Sequence, residues 1–273
     1  MSRPERRRGR GAAGLSELAR LLSERDLAVL DALADHRFLT TRQLQAFSFH
    51  THRSSQSAAR TCRRVLQRLE GWRLVERLSR RVGGLQAGSA SSVWMLTSSG
   101  QQLRNLRSGL GAVGRMREPG ERFVQHYLAV AETHLALVQA DRAGKLELVT
   151  AQVEPACWRP YSGLGGSAEV LKPDLYAVTA SSEFEDHWFI EVDRATESLP
   201  TVLRQCQQYE TYRRVGREQA ASGLFPFVLL VVPDSSRAGK LRSALDAARH
   251  LDRQLFKITT PDRFIAVVLG GTA

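Results

Sequence analysis

Between Ser55 and Gly71 the apolar residues Ala58, Cys62, Val65, Leu66 and Leu69 recur at spacings of 4, 3, 1 and 3, while Arg60, Arg64 and Arg68 recur every four residues with Arg63 beside them. On a helix of 3.6 residues per turn the first set forms one stripe and the second set another. Such a helix must lay one side on a core and leave the other to solvent or to an anion. The charge of the whole chain follows the same logic. Residues 1–117 hold 22 Arg and no Lys against 8 acids, a balance of +14, whereas residues 118–273 hold 17 basic residues against 20 acids, a balance of −3. A preference for Arg over Lys accounts for the kind of base used but not for acids missing from one half. A polyanion-binding module joined to a nearly neutral one is the expectation.

The remaining composition is that of a globular chain, with 42% hydrophobic and 25% charged residues, which excludes disordered, fibrous and disulfide-framework classes. Apolar runs such as 225–232 and 264–269 are far shorter than the ~20 residues that span a bilayer. The basic first ten residues are followed by no apolar signal core, so a cytoplasmic protein with no membrane partner is expected. Cys62, Cys157 and Cys206 are odd in number and lack C-x-x-C spacing, so they read as inert buried thiols.

Residues 1–14, rich in Arg and Gly, read as a disordered basic arm. Ser23 with Asp26, and Thr40 with Gln43, have the spacing of helix capping boxes. They start a helix carrying Leu27, Leu30, Leu33 and Ala34 and a shorter one carrying Leu44 and Phe47. After the arginine-faced helix, 74–78 and 93–96 are strand-like runs around a Gly-rich loop with Arg80 and Arg81. Helix, short helix, basic helix, hairpin and helix resemble a winged helix-turn-helix, and Leu96-Thr97-Ser98-Ser99-Gly100 is similar to the run that closes the wing in such domains. The resemblance implies that the third helix enters the major groove of DNA, with Ser54, Gln56, Ser57, Arg60, Arg63 and Arg64 at the interface and Arg80 and Arg81 on the wing. A winged helix used as a protein contact is the alternative.

The stretch 108–120, with four Gly and one Pro, marks a boundary. The expected organisation is an arm at 1–14, a DNA-binding domain at 15–112, a linker at 113–120 and a mixed α/β domain at 121–273. In that last domain a helix at 121–140 precedes strands at 146–153, 170–178 and 188–192. A helix at 199–214, a buried strand at 227–232, a helix at 238–251 and a final strand at 264–269 follow. Lys172-Pro173-Asp174 falls in the second strand and Glu191-Val192-Asp193 ends the third, so Glu191 and Asp193 share a strand face. Gln205 and Tyr209, four apart, share a helix face.

This order resembles the PD-(D/E)-x-K nuclease core, and Gln205-x-x-x-Tyr209 is similar to a motif of RecB-like nucleases. The resemblance implies Mg²⁺ or Mn²⁺ on Asp174, Glu191 and Asp193 with help from Glu132, and a catalytic group that includes Gln205 and Tyr209. The usual lysine position is held by Asp193, and Lys172 points to the opposite strand face, so an inactive relative stands beside an active enzyme.

Across residues 22–233 the chain resembles the replication-relaxation family of actinobacterial and Gram-positive mobile elements. The stretches that carry this are Leu22-Ser23-Glu24-Arg25-Asp26-Leu27, Leu39-Thr40-Thr41-Arg42-Gln43-Leu44, Arg80-Arg81-Val82-Gly83-Gly84, Lys172-Pro173-Asp174, the run 191–200 and Val232-Pro233-Asp234. The resemblance implies a duplex-DNA-binding protein of a plasmid or integrated element, acting in replication or mobilisation. Its carboxy-terminal domain would serve assembly or remodelling, with replication or mobilisation proteins or a second copy as partners. A metal-dependent endonuclease and a transcriptional regulator that dimerises through that domain are the alternatives.

Overall fold

The computed structural model describes residues 12–50, 54–78, 92–108, 120–181 and 184–271, and within them the chain is a mixed α/β protein. It divides into two compact units, 1–131 and 132–273. The arm before residue 12, Arg80 and Arg81, and the stretch 113–119 lie outside the described residues.

In the first unit helix α1 (Ala12–Leu21) precedes α2 (Glu24–His36) and already takes in the end of the stretch read as an arm, because Leu15 and Leu18 are buried. Strand β1 (Leu39–Thr40), α3 (Thr41–Ser48) and α4 (Ser55–Gly71) follow. Next come β2 (Val75–Arg77), β3 (Val93–Leu96) and α5 (Ser98–Ser108). The strands form an antiparallel sheet in the order β1-β3-β2. Both capping boxes form: Ser23 accepts from the Asp26 amide, and Thr40 accepts from the Gln43 amide at 3.1 Å. The core joins Val29, Leu30 and Leu33 of α2, Leu44 of α3, and Cys62, Val65, Leu66 and Leu69 of α4.

Helix α6 (Glu121–Arg142) contains the division between the units. Its Val124, Tyr127 and Leu128 pack with Phe38, Val93 and Met95 of the first unit, where Gln43 Nε2 also donates to the Leu128 carbonyl at 2.9 Å.

The second unit contains β4 (Glu147–Val153), a hairpin of β5 (Arg159–Ser162) and β6 (Ala168–Leu171), then β7 (Leu175–Ala180) and β8 (Glu185–Val192). After them come α7 (Leu199–Val215), α8 (Arg217–Ser222), β9 (Phe227–Val231), α9 (Ser235–Ala247), β10 (Phe256–Thr259) and α10 (Phe264–Val268). The five-stranded sheet runs β10-β9-β8-β7-β4, antiparallel from β4 to β8 and parallel from β8 to β10. Helices α7 and α9 cross between the parallel strands, as parallel pairing requires. They cover one sheet face through Val202, Cys206, Tyr209, Tyr212, Leu241 and Leu245 on Phe189, Val228, Leu230 and Ile258.

Two expectations are corrected here. The run 264–269 is not a strand but contains α10, whose Phe264, Val267 and Val268 are buried at helical spacing. The last strand is instead β10, where the alternating Phe256 and Ile258 are buried beside the less buried Lys257. Lys172, Pro173 and Asp174 are not inside one long strand but lie between β6 and β7, where the proline supplies no amide for a ladder.

Candidate functional site

Helix α4 turns its apolar stripe inward and its polar residues outward. Gln56, Ser57, Arg60, Arg63 and Arg64 are exposed, and no acid occurs before Glu70. Ser54 caps the helix, its hydroxyl accepting from the Ser57 amide at 3.2 Å, so its lone pair serves the helix before it can serve a partner. Gln45 of α3 donates to the Ser55 carbonyl at 3.2 Å and steadies the entry into α4. Arg68, the last of the four-residue series, is turned to α2: its Nη2 lies 2.7 Å from one carboxylate oxygen of Asp26 and 2.9 Å from the other.

A second constellation sits in the second unit, at the end of β4, before β7 and at the end of β8. The pairs Val153↔Leu175 and Leu175↔Ile190, each continued by one residue, set Glu154 opposite Asp174 and Asp174 opposite Glu191. Directly opposed residues in antiparallel strands share a face. Three carboxyl groups therefore lie in a row across three neighbouring strands. The Glu154 amide donates to the Asp174 carbonyl at 3.1 Å, and carboxylate oxygens of the two side chains lie within 4.8 Å. Asp174 is buried and its Oδ2 accepts from the Val192 amide at 2.8 Å, which binds the row to β8.

Glu191 faces α7, where the Tyr209 hydroxyl donates to its Oε1 at 2.5 Å. Burial, and then the charge of Asp174, push the Glu191 carboxyl well above the ordinary range; the Tyr209 bond works against this, and Glu154 and Glu197 add to it. Tyr209 is itself pushed up by burial and by Glu191. Cys206 is pushed up to about 12 by burial and by Glu191, and Cys157 to about 12 by burial and by Asp174. Both are protonated thiols. Cys62, buried in the first unit, is also raised to about 12 by burial.

Asp174, Glu191 and Tyr209 are thus brought together, and Gln205 lies half-buried one turn before Tyr209. Asp193 has a different setting. It follows β8, its Oδ1 accepts from the Ala195 amide at 2.7 Å, and its Oδ2 pairs with Arg237 Nε of α9 at 2.6 Å. Arg237 also donates to the Glu197 carbonyl at 2.9 Å. The partner of Asp193 thus lies 44 residues further along the chain. Glu132 is exposed on α6.

Glu154 is the member of the row that the reading of the sequence missed. Its one signal is Val153-Glu154-Pro155, an acid and a proline closing a strand, and only the pairing of β4 with β7 gives it meaning. Lys172 is exposed, with its Nζ 4.8 Å from the centre of the Trp158 ring.

Glu154 and Asp174, with carboxylate oxygens within 4.8 Å of each other, form a pair that fits a divalent cation, a hard ion that takes carboxylate oxygens, and Glu191 beside them is raised first by burial and then by the charge of Asp174. An arginine-lined helix face fits phosphate. Among the described residues no helix is long and apolar enough to cross a membrane. Comparison with curated proteins and with solved structures gives no match. The profile of the Replication-relaxation family matches residues 30–228, a span that holds the arginine face of α4, the carboxyl row and Tyr209. The chain belongs to the Replication-relaxation family.

Proposed function

We propose that this protein binds duplex DNA through α4 of its first unit and serves the replication or mobilisation of a plasmid or integrated element, with the second unit acting in assembly or remodelling. The observation that carries this is the outer face of α4, where Gln56, Ser57, Arg60, Arg63 and Arg64 are exposed on a helix whose other face is core. The order α2-β1-α3-α4-β2-β3-α5 with sheet order β1-β3-β2 supports a winged helix-turn-helix reading. In that reading α4 enters the major groove, its arginines meeting phosphates or guanines and Gln56 and Ser57 lying near base edges. The family's name supports the replication setting. The test is fluorescence anisotropy of the full chain on labelled duplex DNA across a range of salt. Binding should weaken steeply as salt rises, and Arg60→Ala with Arg64→Ala should weaken it while the fold persists. No binding at low salt would refute the reading.

A metal-dependent endonuclease is the second reading, favoured by the carboxyl row on a helix, three antiparallel strands, a helix and a parallel strand, the order of PD-(D/E)-x-K cores. Asp174, Glu191 and Glu154 would hold Mg²⁺ or Mn²⁺, which lowers the pKa of bound water. The cationic partner of the nucleophile has no counterpart at its usual place: Asp193 stands there, held by Arg237, and Lys172 lies over Trp158. We therefore expect supercoiled DNA to stay intact with Mg²⁺ or Mn²⁺, for wild type and Asp174→Ala alike. Nicking by wild type that Asp174→Ala abolishes would establish the enzyme.

A further inference from the structure

We propose that Arg68 is a positioning residue that sets the presentation of α4, and that the phosphate-contacting cations of this helix are Arg60, Arg63 and Arg64. The proposal rests on the DNA-binding reading above and divides its arginine face in two.

Asp26 is 1% exposed, and its carboxylate accepts three donors. The Ser23 amide lies at 2.9 Å, the Ser23 hydroxyl at 2.6 Å, and Arg68 Nη2 within 2.7 and 2.9 Å of its two oxygens. The residue that closes the capping box of α2 is thus also the anchor of α4. The guanidinium of Arg68 lies 5.6 Å from the centre of the Trp72 ring, a second hold on the same side chain. The Arg68 side chain is 41% exposed and that of Asp26 1%, so swinging Arg68 out to a phosphate would leave a buried carboxylate without its counter-charge, the costly half of breaking the pair. One helical turn earlier Arg64 is exposed, and Arg60 is exposed a turn before that.

The buried stripe of α4, with Cys62, Val65, Leu66 and Leu69 in one cluster with Leu30 and Leu33 of α2, sets which face of the helix meets the core. The ion pair is directional. It adds a directional hold to that packing and so steadies the direction in which Arg60 and Arg64 leave the helix.

The experiment uses the full chain, labelled duplex DNA and a salt titration of Arg64→Gln, Arg68→Gln and Arg68→Lys. A double-mutant cycle of Asp26→Asn with Arg68→Gln in urea unfolding runs beside it. Loss of a phosphate contact lowers the salt slope by about 0.9. Arg64→Gln should show that drop. Arg68→Gln should keep the wild-type slope while affinity falls at every salt concentration, and Arg68→Lys should recover affinity because the contact to Asp26 runs through one nitrogen. The cycle should give coupling of about fivefold or more in the unfolding constant. A slope drop for Arg68→Gln equal to that for Arg64→Gln overturns the proposal, as does absence of coupling. Coupling without any duplex binding by wild type overturns the DNA-binding reading, and the positioning role with it.

Discussion

Gly100 shows how tightly one position can be specified. A β-carbon there would lie 2.0 Å from the Leu74 carbonyl oxygen, a backbone atom that cannot step aside. The preceding Thr97 explains why the carbonyl is so near. Its amide donates to Leu74 O at 3.0 Å, its hydroxyl donates to Arg73 O at 2.6 Å, and the Thr97 hydroxyl oxygen accepts from the Gly100 amide at 3.1 Å. The Leu96-Thr97-Ser98-Ser99-Gly100 run is therefore a clasp between the end of the hairpin and α5. Gly100→Ala should destabilise the first unit by at least about 2 kcal/mol in urea unfolding, the scale of overpacking against fixed atoms. Glu191 offers a test with a sign. Its carboxyl is raised in the fold, so its protonated form is the one the fold favours, and the associated stability is present below the ordinary carboxyl range and lost as pH rises through the folded value. Glu191→Gln keeps a neutral group, so between about pH 5 and about pH 8 wild type should lose roughly 1 kcal/mol or more relative to the variant. An unchanged gap in urea melts at the two pH values would contradict this. Mn²⁺ binding to wild type, which must displace that proton, should strengthen over the same interval.

The elements written by local rules are those that a sequence exposes best. Ser23 with Asp26 and Thr40 with Gln43 start α2 and α3 as their spacing predicts, because a capping box needs no distant partner. Thr40→Ala should cost about 1 kcal/mol, measured by thermal or urea unfolding. On α4 the two faces should separate cleanly. Leu69→Ala, at a fully buried position, should cost roughly 2–5 kcal/mol. Arg60→Ala, exposed, should stay within about 0.5 kcal/mol while weakening DNA binding. The run 264–269 marks the limit of such reading. Six consecutive apolar residues carry no period, and their β-branched members argue for a strand. The chain forms α10 there because Phe264, Val267 and Val268 bury together, and Gly270 at φ 86 ends the turn. Strand β10 was hidden for the opposite reason: four residues with Lys257 among them form a strand only by pairing in register with β9.

At the scale of the whole molecule the first question is where a unit ends. Val124, Tyr127 and Leu128 of α6 close the cluster around Phe38, Val93 and Met95, so a fragment ending at residue 112 would leave that apolar surface open. A fragment of residues 12–131 should unfold at higher urea than one of residues 12–112, by on the order of 3 kcal/mol for the lost burial. Equal midpoints would show that α6 adds nothing to the first unit. The sequence by itself determined the mixed α/β class, the arginine face of α4 and the helix starts at capping boxes. Each depends on neighbours within a few residues, where periodicity and capping act. The tertiary structure alone decided the rest. It joined Glu154 to Asp174 and Glu191 through the register of β4 on β7, gave Asp193 to Arg237 of α9, and turned Arg68 away from the arginine face toward Asp26. In each case the deciding partner is distant in the chain. A carboxylate or guanidinium in a sequence carries its charge but not the identity of the group that will neutralise it, because burial, and not spacing, sets that choice.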